Sequence, residues 1–435
     1  MNLVKLASTV AVSATLSLAL NGLAQAENLL DVYHLALKND AQFRSASYQY
    51  ESALETRKQA RAAFLPQIQA GGTSGLNDVN DDRNETYNSN RLSLSLNQSI
   101  YSRANRIVSK QADLTIAQAQ AELTAAEQDL IFRSASVYFG VLAAEENLIF
   151  AQSEKKAIEQ QLEQAERRFE VGLIAITDVK EAQAAYDLAV AEEIAAENNL
   201  ANAREALRVV TGQNVENYQP LGEEAPLIKP DPQEVEMWVN TAETQNLSLH
   251  VAEYSAEIAN QQIEAARSGH FPTLSAGASY ANTSQDGGTG DSEIGALQLQ
   301  LDVPIYSGGL VSSQTRQAKS QAKLAAEQYE LTRRNVAQQT RNAYRGVLAG
   351  ISRVIALERA LQSTQIAAEA TETGFEVGTR TAVEVLQSLR DVFRARANYS
   401  SARYDYILNT LALKQAAGIL ELTDLEAING WLTPQ

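Results

Sequence analysis

The polar residues best suited to chemistry are five side chains that lie near two short, related segments. They combine carboxylates, a guanidinium, a hydroxyl and an amide: Thr177, Asp178, Arg380, Glu384 and Gln387. Such groups form charge-assisted hydrogen bonds, and the set is also typical of an ordinary salt bridge at the end of a helical hairpin. The chain has no thiol nucleophile, and its three histidines lack the spacing of metal ligands. We therefore predict no enzyme activity and no cofactor.

The segment beside these residues occurs twice. It reads Phe-Glu-Val-Gly from Phe169 and again from Phe375, an offset of 206 positions. Glycine after valine favours the left-handed conformation that ends many helices. Thr177-Asp178 and Thr381 follow at positions suited to an N-cap or a first-turn acid of the next helix. Each copy is predicted to be the tip of a helical hairpin.

The offset of 206 recurs along the sequence and indicates a tandem duplication. No proline falls between Pro66 and Pro220 or between Pro304 and Pro434, so both intervals permit long helices. In the first interval, seven-residue spacing relates Leu123, Leu130, Val137, Ala144, Ala151, Ile158 and Ala165 and, after the tip, Ala182, Ala189, Ala196, Ala203 and Val210. This repeat is typical of a left-handed coiled coil. A long soluble four-helix bundle would explain it equally well.

Two segments ahead of the coiled coils have a different period. Apolar residues alternate with small or polar ones over positions 92–100 and again over 297–305. Period two predicts β-strands with one apolar face, and each hairpin arm has about the length of a tilted membrane strand. A soluble sheet of two hairpins remains an alternative. The four-helix bundle does not account for these strands.

The targeting signal and the composition restrict the cellular location of the protein and the classes of partner it can bind. Residues 1–26 are predicted to be a secretion signal, because Lys5 precedes an apolar stretch and Ala24-Gln25-Ala26 fits a cleavage site. The chain contains no cysteine, which excludes disulfides and a cysteine-linked lipid. Its formal net charge of −17 disfavours nucleic acid as a partner. No later stretch has the length and apolarity of a transmembrane helix.

Four membrane-length strands cannot close a barrel by themselves. An open sheet edge in lipid would leave backbone groups without hydrogen-bond partners. Two chains would supply eight strands, and three would supply twelve with room for a pore. The residues alone do not choose between these two assemblies.

Three segments carry a specific family resemblance: VGLIAITDV at 171–179, GTRT at 378–381 and LDVPIYSGG at 301–309. Together with the signal, the hairpins and the tips, they resemble the TolC family of outer-membrane efflux proteins over residues 27–431. The absence of cysteine fits the branch that has no lipid anchor. The resemblance implies a mixed α/β membrane protein, made mostly of coiled-coil hairpins that form an α-barrel. Its two β-hairpins would contribute four strands to a trimeric, 12-stranded β-barrel.

The resemblance also implies a function. The chain is expected to be the exit duct of tripartite efflux and type I secretion systems, exporting drugs, detergents or proteins. It would lie in the outer membrane of a Gram-negative bacterium, extend into the periplasm, and open at the coiled-coil tips. Expected partners are two further copies, outer-membrane lipid, a periplasmic adaptor (membrane fusion) protein and an RND, ABC or MFS inner-membrane transporter. The alternative is a secreted coiled-coil scaffold or adhesin without a pore.

By the same resemblance, three groups of tip residues acquire roles. The gate or latch comprises Thr177, Asp178, Phe375 and Arg380, with a bond expected between Arg380 and Asp178. The pore constriction comprises Glu384 and Gln387. The tips that bind the adaptor comprise Val171, Gly172, Leu173, Val377, Gly378 and Thr379.

Two positions depart from the family pattern. Phe375 stands where the family has tyrosine, so no hydroxyl is available there to bond Asp178. Gln387 replaces one of two aspartates, which leaves one carboxylate ring at Glu384 in a three-fold assembly. The pore is therefore expected to prefer cations. Multivalent cations are expected to block it less strongly than they block a family member that has both aspartates.

The predicted organisation follows the duplication. After the signal, the first repeat spans 27–212, with a β-hairpin at 64–101 and a coiled-coil hairpin at 103–211. A linker at 213–232 precedes the second repeat at 233–418, whose hairpins are expected at 271–306 and 310–417. Residues 419–435 form the C-terminal segment.

Overall fold

A computed structural model describes residues 27–79, 85–223, 225–286 and 290–433. The predicted signal peptide lies outside the described residues. The helices are α1 (Leu29–Asn39), α2 (Ala41–Ala62), α3 (Arg103–Glu170), α4 (Ile176–Thr211), α5 (Val235–Gln245), α6 (Leu247–Arg267), α7 (Leu310–Glu376), α8 (Ala382–Ala417) and α9 (Leu422–Asn429). The strands are β1 (Gln67–Val79), β2 (Glu85–Tyr101), β3 (Thr273–Asp286) and β4 (Ser292–Asp302).

The four strands form one antiparallel sheet in the order β1-β2-β3-β4. Leu96 lies opposite Ile68 on one side and Ala278 on the other, and Ala278 lies opposite Leu297. Residues opposite one another share a face, so these side chains form one apolar face across all four strands. That face is uncovered in the single chain, where Leu297 is 89% exposed. The alternation predicted over positions 92–100 is confirmed, whereas that predicted over 297–305 holds only as far as Asp302, where β4 ends. Pro304 has no N–H to donate to a neighbouring strand, which accounts for the earlier end.

Two very long helices dominate the rest of the molecule. Helix α3 has 68 residues and α7 has 67, which corresponds to about 100 Å each at 1.5 Å per residue. The tip half of α3 packs against α4, and that of α7 against α8, whereas α2 and α6 pack on the halves nearer the sheet. Ser102 caps the start of α3 by accepting a hydrogen bond from Asn105, so the strand passes directly into the helix.

The largest hydrophobic core lies at the middle of the long helices, and we call it the equatorial core. It is built from α1, α3, α4, α5, α7, α8 and α9 together with the linker. Its fully buried large side chains include Leu29, Leu130, Tyr138, Phe139, Leu207, Tyr406, Leu411, Leu413 and Leu425. Two short β-bridges, between Glu27 and Tyr218 and between Leu221 and Leu432, join the ends of the described chain to the linker.

A smaller apolar cluster lies towards the first hairpin tip, and we call it the tip cluster. Its buried members are Ile158, Leu162, Ala165, Val179, Ala182, Ala185, Ala189 and Leu386. Four of them, Ile158, Ala165, Ala182 and Ala189, are positions of the predicted seven-residue repeat. Small residues at this interface allow α3 and α4 to approach closely. No helix among the described residues combines the length and apolarity needed to cross a membrane.

Candidate functional site at the hairpin tips

The first tip is a tight turn that ends α3. Gly172 has a left-handed φ of 76° and its N–H donates to the carbonyl of Phe169 at 2.9 Å, while the N–H of Leu173 donates to Arg168 at 2.8 Å. This pair of bonds is a Schellman motif, which satisfies carbonyls that the helix end would otherwise leave open. The turn then passes into α4, whose first turn contains Asp178.

The second tip has the same construction. Gly378 has a φ of 79°, its N–H donates to Phe375 at 3.0 Å, and the N–H of Thr379 donates to Gly374 at 2.8 Å. The hydroxyl of Thr379 donates to the same Gly374 carbonyl at 3.0 Å. The duplication is therefore reproduced in the hydrogen bonds of the tips as well as in their residues.

The tips present apolar side chains to solvent. Val171, Leu173 and Val377 are each 70% exposed or more in the single chain. A Cβ atom placed on Gly172 or Gly378 would find no neighbour within 4 Å. Both glycines are thus required by the left-handed backbone, and the space around them is open.

The second hairpin carries the strongest polar contacts of the site. Thr381 caps α8 in a capping box: its hydroxyl oxygen accepts from the Glu384 N–H at 3.3 Å, and the Glu384 carboxylate accepts from the Thr381 N–H at 2.8 Å. The other carboxylate oxygen of Glu384 accepts from Arg380 at 2.6 Å. The Thr381 backbone N–H, the Arg380 guanidinium and the Thr381 hydroxyl together lower the pKa of Glu384.

Within one chain, the expected bond between Arg380 and Asp178 is absent. Among the described residues, Arg380 pairs with Glu384 and the carboxylate of Asp178 accepts no hydrogen bond. Glu384 lies four residues along the same helix and its carboxylate is already oriented by the capping box, so this pairing needs no approach between hairpins. Thr177 is exposed near the start of α4, and Gln387 donates to Asp391 at 3.1 Å instead of meeting the other site residues.

Sequence reasoning missed the residue that does reach Phe375. The guanidinium carbon of Arg168 lies 4.3 Å from the centroid of the Phe375 ring, a cation–π contact between the first and second hairpins. The signal was present in the sequence as a basic last turn ahead of the first tip, but only the fold brings α3 and α7 together.

Two further contacts join the two helical hairpins at positions farther from the tips. Leu386 of α8 is buried in the tip cluster of α3 and α4. Arg390 lies 3.8 Å from Glu154 of α3 and donates to the carbonyl of Ala185 at 3.4 Å. Burial raises the pKa of Glu154, and the nearby Arg390 opposes that rise. Nothing in the part of the chain that the structure describes gathers three histidine, aspartate or glutamate side chains into a metal site.

Comparison with known proteins identifies the same family in both repeats of the chain. The family described as outer membrane efflux protein matches residues 32–213 and again 238–419, two ranges related by the offset of 206. The chain is 40% identical to the outer membrane protein TolC of Vibrio cholerae, covering 97% of each chain. It is 28% identical to the alkaline protease secretion protein AprF of Pseudomonas aeruginosa, covering 92% of this chain and 86% of AprF.

A solved structure shares the fold. The CmeC outer membrane channel of Campylobacter jejuni superposes with a TM-score of 0.78 at 17% identity, covering 94% of this chain and 90% of CmeC. With the repeated family match and the 40% identity to the Vibrio protein, this agreement confirms the resemblance predicted from the sequence. The chain belongs to the outer membrane efflux protein family and is a channel of the outer membrane.

Proposed function

We propose that three copies of this chain form an exit duct for efflux and type I secretion. The observation that carries the proposal is the sheet, whose end strands β1 and β4 each have one neighbour among the described residues. Its apolar face is bare, with Leu92, Leu297 and Leu299 each at least 70% exposed. Such a sheet is unfavourable in water and impossible in lipid unless its edges pair with further copies. Twelve strands from three chains close the wall and leave a lumen.

The helical part extends this wall into the periplasm. Helices α3 and α7 start beside the sheet and continue for about 100 Å at 1.5 Å per residue. In the trimer, the helices of the three chains together form one continuous tube. The relative AprF is named for the secretion of alkaline protease, which supports a role for this chain in protein secretion beside efflux of drugs or detergents. A transporter of the RND, ABC or MFS class in the inner membrane would supply the energy.

The tips form the gate of this duct. Thr177, Asp178, Phe375 and Arg380 hold the entrance closed, and Glu384 and Gln387 line its constriction. Asp178 has no partner among the described residues of its own chain, so its carboxylate is available to a cation on a neighbouring copy. Contacts of this exposed kind are weak individually, which suits a gate that must open.

The periplasmic adaptor binds the exposed apolar tips. The binding residues are Val171, Gly172, Leu173, Val377, Gly378 and Thr379. Three valine and leucine side chains at least 70% exposed supply the apolar area, and the two glycines leave open space beside the backbone. Hydrophobic contact with a partner at this point would bury side chains that are otherwise in water.

The test is to purify the chain from membranes in detergent and to measure its oligomeric mass and its conductance in planar bilayers. We expect a heat-sensitive trimer, a small resting conductance, and increased drug and detergent sensitivity in a deletion strain. A water-soluble species that stays soluble without detergent and never conducts ions would favour the scaffold or adhesin alternative.

A further inference from the structure

An arginine on an aromatic ring joins the two helical hairpins of one chain at their tips. Arg168 lies in the last turn of α3, and its guanidinium carbon is 4.3 Å from the centroid of Phe375 in the last turn of α7. Among the described residues, the Arg168 side chain has no hydrogen bond or ion pair to a carboxylate. The charge is therefore held at this position by the face of the ring, which carries the negative part of the aromatic quadrupole.

At the other end of α3, a second arginine also contacts an aromatic ring, and in addition it forms a hydrogen bond to a carboxylate. Arg103, the first residue of α3, places its guanidinium carbon 4.3 Å from the centroid of Phe271. It also donates to Glu264 at 2.8 Å, and Glu264 is bound in turn by Arg267 at 2.5 Å. Charge-assisted bonds are stronger than a contact with a ring alone. Arg103 thus joins the two repeats at the sheet end through both a ring and a carboxylate, whereas Arg168 joins them at the tip through a ring contact.

We propose that Arg168 and Phe375 form a latch within each chain, which keeps the two hairpin tips together while the duct is at rest. Arg168 acts as a positioning residue, because it holds α7 rather than touching any exported molecule. The latch needs the face of an aromatic ring and no hydroxyl, which explains how a closed tip is compatible with phenylalanine at position 375. This inference rests on the proposed gating function.

The size of the effect follows from the partial burial of the contact, since both side chains are half-buried in the single chain. A cation–π contact that keeps access to water changes an equilibrium by about two- to fivefold. Three independent latches in a trimer would multiply to roughly ten- to a hundredfold in the population with all tips released. Such a latch biases the gate towards closure, yet a docking partner can overcome it.

The experiment measures the distance between the tips directly. Because the chain has no cysteine, Glu166→Cys and Glu372→Cys can carry spin labels; both side chains are exposed and stand one turn before the ends of α3 and α7. Labelled chains diluted with unlabelled ones give the distance between the hairpins of one chain in detergent. The same preparations are recorded in planar bilayers.

Phe375→Leu and Arg168→Gln are each expected to broaden and lengthen the tip distance and to raise resting conductance several-fold. Combining them should add little to either single variant. The matched control, Phe271→Leu, removes the same ring at the sheet end, where the Glu264 pair remains, and should leave the tip distance unchanged.

An unchanged tip distance in Phe375→Leu would overturn the latch, as would additive effects of the two substitutions. The distance is read without any channel activity, so the result is independent of the proposed function. If the parent trimer never conducts, the duct proposal fails; the distance series still decides whether Arg168 and Phe375 hold the tips together.

Discussion

The glycines that follow α3, α4, α7 and α8 differ in how tightly they are packed, depending on whether they lie at the tips or at the equatorial core. Gly172 and Gly378 at the tips and Gly212 and Gly418 at the core all have a left-handed φ between 73° and 79°. At the tips, an added Cβ would meet nothing within 4 Å. At Gly418, the Cβ would lie 2.3 Å from the carbonyl oxygen of Gln245. The same local turn is thus packed solidly in one region and left open in the other.

The aspartates of the two regions also differ in how closely they are surrounded by partners. Asp40, which is 3% exposed, receives two hydrogen bonds from Arg133 at 2.9 and 3.0 Å and caps α2 through the N–H of Phe43. At the tips, Asp178 is part-exposed and has no partner among the described residues of the chain. The equatorial core therefore uses its buried carboxylate to stabilise the folded chain, whereas the tips leave the Asp178 carboxylate available for contacts that change.

The largest effect is expected from Gly418→Ala. The new methyl group collides with backbone atoms of Gln245 and Asn246, which cannot move without disrupting the start of α6. We expect a loss of several kcal/mol or failure to assemble, against about 1–2 kcal/mol for Gly378→Ala, where only the left-handed backbone opposes the change. Thermal unfolding in detergent measures both. Equal losses at the two positions would remove the proposed contrast in packing.

Asp40→Ala is expected to cost about 2–3 kcal/mol, since it removes a helix cap and leaves Arg133 with Asp129 as its remaining partner. Burial raises the pKa of Asp40, but its bonds from Arg133 and the Phe43 N–H outweigh this and lower it overall. Its contribution is therefore present above the unfolded-state pKa and is lost as pH falls through the folded-state value. Asp178→Ala should leave the unfolding midpoint unchanged.

Glu146→Gln should have a smaller effect of opposite sign, a gain within about 1 kcal/mol at neutral pH. Glu146 joins the hairpins near their base by accepting bonds from Ser400 and from Tyr404 at 2.7 Å, and burial raises its pKa. The protonated carboxyl favours the folded state, so this contribution is present below the unfolded-state pKa and declines as pH rises through the folded-state value. Unfolding midpoints across pH 4–8 should slope for the parent and flatten for the variant.

The smallest effect on stability is expected from Arg380→Ser at the exposed tip. Unfolding should be unchanged, while resting conductance rises and block by multivalent cations strengthens, because the Glu384 carboxylate loses its guanidinium partner. Adding Glu384→Gln should abolish the extra cation block. Single-channel recordings with and without a trivalent cation decide this. An unchanged leak and unchanged block would exclude Arg380 from the gate.

Local patterns predicted much of the fold because short-range physics determines it. Left-handed glycines such as Gly172 and Gly378 were expected to end the long helices, and they do. Thr381 was expected as an N-cap and caps α8. For α4 the N-cap is Ala175 and not Thr177, and Asp178 is the acid of the first turn, as expected. Period two in the strands and period seven in the coils identified the apolar faces, since each period matches the geometry of its element.

The polar partners at the tips were less predictable. Arg380 was expected to meet Asp178, and within the chain it meets Glu384, because an oriented carboxylate one turn away outcompetes one on another helix. The partner of Phe375 is Arg168, 207 positions earlier in the chain, and no local spacing could identify it. Contacts between hairpins depend on how α3 and α7 are placed side by side, which is a property of packing.

The sequence by itself determined the duplication, the extent of the long helices, and the apolar face of the sheet, because these follow from residue types at fixed short spacings. The tertiary structure alone decided which side chains meet across the hairpins: Arg168 with Phe375 at the tips, and Glu146 with Ser400 and Tyr404 near the base. Such pairings arise from the relative position and rotation of helices about 100 Å long, where a small rotation exchanges one neighbouring side chain for another.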